Sequence, residues 1–443
     1  MKRLVTQTLM LLALAGLAAC GSGNVQTGPG NPNPGGSDGD LTTAESFAAA
    51  TAVLNAFSIG ADFPPDFVIP DVAGMEATGF LVSFSPAGVV PIDLNANPLK
   101  VSTQFATLDA SAIPEAAFPN HVEILSPTQA FLLAGSGVVY FNPTTGVVFQ
   151  SLDLTAPVNL TEALDYSRPG DCDFIGGDEN SVGPGPFSPG FAADLAVLGG
   201  RLFVSMSNAC FDISFSSFYV QGLVLVFDIN DGAPFLTPAA TPYIALSGFN
   251  ATGLTVANGK LIATSTGDTE LAGSATTPET PSILDEIDPV TLAITRSLNL
   301  GLVAANFQPL AVTEDGSSGF IGSSAFSEVY EIDLQNFTAK RGTANPIAIT
   351  SNDDDFITDQ EIAFGGEILF VSSFNRSAVS ALDLTTAGRE VVGHALDFEF
   401  PEPGVTGAGP MAVRPGEPGA DFTGPDLFVL TSSPGTISTA TTY

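Results

Sequence analysis

An all-β fold assembled from repeated four-stranded sheets is what this sequence predicts, and three observations predict it. No long stretch shows helical periodicity; instead short runs of Val, Ile, Leu and Phe recur, separated by Gly, Asn, Asp and Pro. An apolar strand ending in Asp or Asn and followed by a polar turn returns at Asp93, Asn142, Asp228, Asp288, Asp333 and Asp383, with gaps of 49, 86, 60, 45 and 50 residues. Each marker is preceded by two strands joined by a tight turn, as in DLAVLGGRLFVS from Asp194 and GLTVANGKLIATS from Gly253, and followed by one more, as in ITRSLNL from Ile294. Four strands in a repeat of about 45 residues is the period of a propeller blade.

The chemistry of the marker explains its return. A short Asp or Asn side chain accepts hydrogen bonds from the next backbone N–H groups and holds the turn between the third and fourth strands, so these six residues are structural rather than catalytic. Extending from the clear repeats gives seven blades, at about 70–108, 120–155, 192–247, 251–300, 307–350, 359–400 and 408–443, with six as the alternative count because the first and last are weakest. The last holds three strands before Tyr443; residues from 41–66 supply the fourth, joining both ends of the chain in one sheet and removing an open edge. Residues 41–443 are therefore one domain. In its strand-turn-strand pattern, residues 70–443 resemble the YVTN and lactonase-like seven-bladed propellers, in period and not in catalytic motif. That resemblance implies, for the lactonase branch, a metal held by channel carboxylates and amides that activates water.

The N-terminus carries an address. Lys2 and Arg3 precede an apolar run from Leu9 to Ala19, the order of a secretory signal and too short to span a bilayer. Leu17-Ala18-Ala19-Cys20 then resembles the lipobox of bacterial lipoproteins. The resemblance implies removal of residues 1–19, lipid on Cys20, and a stable anchor through several acyl chains. Gly21 and Ser22 lack the acidic inner-membrane retention signal, which favours the outer membrane or cell surface of the envelope. Residues 20–40 are rich in Gly, Pro, Asn and Ser and form a disordered tether reaching on the order of 25 Å.

The chain has 47 acidic and 12 basic residues, a formal charge of −35 that becomes −37 once Lys2 and Arg3 leave with the signal. Such a surface repels phosphate backbones, which excludes nucleic acid as a partner, and attracts cations, calcium among them, or basic proteins. With Cys20 lipidated, Cys172 and Cys210 are the remaining pair, and in an oxidising compartment they are expected to form a disulfide.

Blade threading also orients the domain. With strands running outward from the channel, the first-to-second and third-to-fourth turns share one face, and there they are short, as at Gly199-Gly200, Asn258-Gly259 and Gly365-Gly366. The other face carries the insertions at 155–191, 206–222, 266–282, 350–358 and 400–408, and long loops on a rigid scaffold are where binding resides. Three constellations lie there. Asp171, Asp173, Asp178, Glu179 and Asn180 have the oxygen-rich, glycine-spaced composition that calcium prefers, without the EF-hand spacing; Asp353-Asp354-Asp355 with Asp359 and Glu361 is a second acidic run. Innermost strands bring Asn120, His121, Asp194, Thr252, Gln308, Gln360 and Glu361 to the channel mouth, where the catalytic candidates would be.

Other enzyme classes find no support. His121 and His394 are the only histidines, there is no C-x-x-C-H for haem and no Gly-rich phosphate loop, and the absence of Trp removes the aromatic platform of quinone-dependent propellers. The expectation is a tethered binding module that recognises a protein, a glycan or a cation through its loop-rich acidic face. The alternative is a metal-dependent lactonase-like hydrolase at the channel mouth.

Overall fold

The computed structural model describes residues 52–58, 65–84, 86–96, 99–168, 181–211, 217–272, 275–349, 356–362, 366–374, 378–386, 388–389, 391–397, 406–414, 427–433 and 435–440. Within them the chain is a β-propeller. Six blades are built from consecutive strands; a further sheet joins Thr406–Val413, Leu427–Ser433 and Gly435–Ala440 to Ala52–Ser58. Ala52–Ser58 runs antiparallel to Gly435–Ala440, so the expected closure of the ring by residues from 41–66 is observed. Blade 3 is representative: Ala192–Leu198, Arg201–Met206, Gln221–Ile229 and Leu236–Phe249 pair in that order, each antiparallel to the next. In blades 1 and 5 the outermost place is shared by two short strands, Lys100–Val101 with Leu108–Asp109 and Thr338–Arg341 with Ile347–Ala348.

Strand composition decides radial position. The second and third strands are continuous apolar runs, such as Ala130 to Ala134 and Val138 to Phe141, and are buried on both faces between neighbouring blades. The outer strand Ala293–Gly301 alternates between exposed and half-buried positions along most of its length, as a strand with one wet face should. Each interface is its own apolar cluster: Phe80, Val82 and Val89 of blade 1 meet Val122, Leu132 and Phe141 of blade 2, and Phe67 and Leu81 meet Phe428 and Leu430 across the closure. Every such fully buried Phe or Leu contributes about 1.5–3 kcal/mol.

Turn chemistry follows the sequence closely. Gly199 and Gly200, at φ of 61° and 76°, and Asn258 and Gly259, at 52° and 69°, make the two-residue hairpins that need left-handed backbone at both positions. Asn142 Oδ1 accepts from the N–H groups of Thr144 (2.9 Å) and Thr145 (3.1 Å), and Asp288, Asp333 and Asp383 cap their turns in the same way. Asp93 does so through Asn95. Asp228 departs from the expectation. Its Oδ1 accepts instead from Arg201 Nε at 3.0 Å, because the longer connection that follows is organised by Asn230, whose Nδ2 donates to Pro234 O at 2.9 Å.

The loop-rich face is more ordered than its sequence indicates. Val158–Leu160 pairs with Gly185–Phe187, Leu164–Asp165 with Ser181–Val182, Ala209–Phe211 with Ser217–Tyr219 and Thr269–Ala272 with Ala275–Pro278. Strands of two to four residues are too short for an alternation pattern to register. Ser167 knits these hairpins together: its hydroxyl donates to Asp268 Oδ2 at 2.7 Å and accepts from the Tyr219 N–H at 3.0 Å.

Candidate functional site: the channel mouth

The innermost strands start at the loop-rich face, and they start alike. Pro65-Asp66-Phe67-Val68-Ile69, Asn120-His121-Val122-Glu123-Ile124, Ala193-Asp194-Leu195-Ala196-Val197 and Thr358-Asp359-Gln360-Glu361-Ile362 share one register, with Asp or His at the second place. Hydrogen bonds confirm it. Asp66 Oδ1 accepts its own neighbour's N–H, from Phe67 at 2.8 Å, while Oδ2 accepts from Val122 N–H of the next blade at 3.3 Å. Asp194 accepts from Leu195 (2.8 Å) and from Leu254 of the next blade (2.7 Å). Asp359 accepts from Gln360 (2.7 Å) and Met411 (2.6 Å). Each carboxylate thus staples one blade to its successor, and a hydrogen bond to a charged acceptor contributes about 1.5–3 kcal/mol.

Junctions without an aspartate use neutral groups. Asn120 Nδ2 donates to Ala192 O at 2.8 Å, and Thr255 Oγ1 accepts from the Leu310 N–H at 2.8 Å. Gln360 Nε2 donates to Pro309 O at 2.8 Å, while its Oε1 accepts from the Gly322 N–H (2.9 Å) and Asn306 Nδ2 (2.6 Å). At the second place blade 4 has Gly253, where a Cβ would stand 3.1 Å from Gln308 O. Gln308 itself is half-buried beside that close approach, and Thr252 is buried with its hydroxyl 2.8 Å from that of Thr266.

One cation meets the carboxylates. His121 lies with Nδ1 2.9 Å from Asp66 Oδ2 and Nε2 3.7 Å from Asp194 Oδ1 and 3.9 Å from Glu123 Oε2, so it bridges three blades. Burial pulls its pKa down, but the Asp66 and Asp194 charges outweigh this and hold the imidazole well above its ordinary value. Burial also pushes the Asp194 carboxyl up to about 6 against the opposing pull of His121, and pushes Asp359 up to about 7. Glu361 is raised as well, by burial and by the Asp359 and Asp66 charges. Asp66 and Glu123 were not legible as site residues. Asp66 sits at the end of the segment read as the closing strand, and the repeated x-Asp-x-x-apolar start was the signal that could have found it.

Of the sequence-derived channel residues, the structure brings His121, Asp194 and Glu361 into one electrostatic neighbourhood and gives Asn120 and Gln360 to the junctions. For a metal the fit is poor, since the buried Asp194 and Asp359 already hold backbone N–H groups with both oxygens. Among the described residues no group of three or more His, Cys, Asp or Glu is arranged to hold a metal ion. Asp171, Asp173, Asp178, Glu179, Asn180, the run Asp353-Asp354-Asp355, and Cys20 and Cys172 lie outside the described residues. Cys210 is buried on Ala209–Phe211.

Around the mouth the backbone turns through left-handed residues. Phe118 (φ 61°), Phe191 (φ 62°) and Asn250 (φ 55°) occupy matching places before the inner strands of blades 2, 3 and 4. Their carbonyls accept from Gly135, Ser207 and Thr266 N–H at 3.1, 2.8 and 2.9 Å. Asparagine tolerates this conformation, whereas a phenylalanine there costs about 1–2 kcal/mol.

Fold and site together define a β-propeller whose channel mouth is acidic. No family model matches the chain, and no curated protein matches it. Among solved structures it is similar to the β-propeller domain of Cps50 (Swd1) from Myceliophteria thermophila, at 13% identity and a TM-score of 0.51, over 89% of this chain and 100% of that one. Hsv2 of Kluyveromyces lactis aligns over 84% of this chain and 91% of its own, at 10% identity and a TM-score of 0.43. At 13% identity the likeness to the Cps50 domain speaks for the fold alone.

Proposed function

We propose that this chain is an extracytoplasmic, lipid-anchored propeller that binds a protein partner through its loop-rich face. The observation that carries the reading is the asymmetry of the two faces. One has two-residue turns at Gly199-Gly200 and Asn258-Gly259; on the other, hairpins are tied to each other through Ser167, Asp268 and Tyr219 into a platform. Insertions on one face whose described parts form paired strands suit a recognition surface, because the ordering entropy of those strands is already lost before a partner arrives. The lipobox-like Leu17-Ala18-Ala19-Cys20 supports the anchor, and the Gly- and Pro-rich 20–40 tether supports presentation of the platform away from the membrane. Cys172, in the 155–191 insertion, is the proposed partner of Cys210, which would pin that insertion to blade 3.

Two measurements test this. Cys20→Ser should shift the protein from the membrane pellet to the soluble fraction and abolish palmitate labelling; retention in the pellet without label would remove the anchor. Envelope proteins cross-linked to the wild type should be lost when Thr161, Asp165 and Gln221 on the platform are replaced by lysine, and kept when Asn258 and Asp315 on the opposite face are replaced. The reverse pattern would place binding elsewhere.

A further inference from the structure

The loop-rich face also bears exposed apolar side chains. Phe118 is 37% exposed, Phe307 46%, Phe326 37% and Leu302 51%. Phe118 stands three residues before His121. Leu302 and Phe307 flank the approach to the inner strand of blade 5, and Phe326 lies on the facing loop, held there by the Ala305–Ser323 bridge and by Ser324 N–H donating to Ala304 O at 2.8 Å. Single exposed apolar residues are ordinary on any protein; several large ones at one opening mark a contact surface.

Charge gives the rim its partner. Most basic residues are paired toward the short-turn face and outer strands: Arg201 with Asp228 (3.0 Å), Lys260 with Asp288 (2.6 Å), and Lys340 and Arg389 with Glu331 (both 3.0 Å); on the platform, Arg168 lies 3.6 Å from Asp268. At the mouth, Asp66, Glu123 and Asp194 face His121, and Asp359 and Glu361 add two further carboxyl groups. Asp66, Asp194 and Asp359 have backbone N–H partners. Glu123 and Glu361, two places further along their strands and on the same strand face, are only partly buried, and a cation arriving beside Glu361 would offset the burial and the Asp359 and Asp66 charges that raise it. A low-dielectric channel lined with one sign of charge focuses its field on a counter-ion.

Resting on the binding reading above and naming its partner's chemistry, we infer that the mouth docks a protein segment in which an arginine or lysine is flanked by apolar residues. The cationic head enters the channel toward Glu123 and Glu361, and the flanking side chains cover Phe118, Phe307, Phe326 and Leu302. The aliphatic stem suits the apolar rim and the charged head suits the carboxylates, a division of labour that neither a neutral nor an acidic segment can make.

The test uses the full chain in detergent and a fluorescein-labelled peptide, acetyl-Leu-Phe-Arg-Leu-Phe-amide, with citrulline or glutamate in place of arginine as controls. Saturable binding of the arginine peptide is expected, weakened about tenfold or more by citrulline, abolished by glutamate, and weakened further by salt. Glu123→Gln with Glu361→Gln should remove the arginine preference, and Phe307→Ser with Phe326→Ser should weaken both arginine and citrulline peptides; matching Tm values show that the variants fold. Equal affinity for the arginine and citrulline peptides, or variants that bind as the wild type does, overturns the inference. If cross-linking to the platform persists in that case, the binding reading stands without it. If platform lysines abolish no cross-link, both fall.

Discussion

His121→Ala is expected to lower the free energy of unfolding by about 3 kcal/mol at pH 7.5, and by clearly less at pH 5. The imidazolium is the counter-ion between the buried carboxylates of Asp66 and Asp194, at 2.9 and 3.7 Å, and removing it leaves two negative charges facing each other across the junction of three blades. At pH 5, Asp194, whose carboxyl is pushed up to about 6, takes a proton instead, and the cost shrinks. Adding Asp194→Asn to the variant should recover part of the loss, since the two residues share one interaction and their effects do not add. Urea denaturation at both pH values reads this directly. An equal loss at pH 5 and 7.5 would show that His121 acts by packing and not by charge.

The wild type should itself become less stable as pH rises from about 4 toward 8, opposite to the trend expected when only surface ion pairs titrate. The sign follows from the channel. Asp194 and Asp359, held up to about 6 and about 7 from an unfolded value of 3.8, keep protons that the unfolded chain has released, so stability falls across that window. Glu361, raised above 4.5, acts the same way. His121 adds to the trend: its raised value gives stabilisation that is complete below about 6.5 and is lost as pH climbs through the folded value. For Asp194 alone the shift corresponds to about 3 kcal/mol. Carboxylates held low by bases, such as Glu286 beside Arg296 and Glu331 beside Arg389 and Lys340, act in the other direction. Although burial raises them, their partners win, and the stability they give is lost only as pH falls below about 4. A maximum near pH 4 to 5, found by denaturation over a pH series, is the expected result; a plateau from pH 5 to 8 would mean that water in the channel screens these groups.

Much of the architecture could be read in advance because its causes are local. The marker at Asn142 works through N–H groups two and three residues away, and the Asn258-Gly259 hairpin needs only two residues that accept left-handed backbone. Blade boundaries and the joining of the chain ends followed from counting such local signals. Asp228 was misread because a local signal was overruled at a distance, by Arg201 on the neighbouring strand.

The channel mouth behaves differently. Neither the Asp66 nor the Asp194 contact can be read locally, because each accepts from an N–H group 56 or 60 residues further along the chain. A buried aspartate looks the same in sequence whether it awaits a metal or holds a neighbouring blade. The platform strands of two to four residues are too short to leave an alternation pattern, and Ser167 ties them together through Asp268 and Tyr219.

By itself, then, the sequence determined the all-β class, the repeat, the closure of the ring and which face bears the insertions, because hydrophobic alternation and turn chemistry act within a few residues. Only the tertiary structure decided what the inner carboxylates do. Closing the ring buries Asp194 and Asp359 around a channel, where desolvation and the Asp66 charge raise both and His121 pulls Asp194 back, and those quantities exist only once distant blades have met.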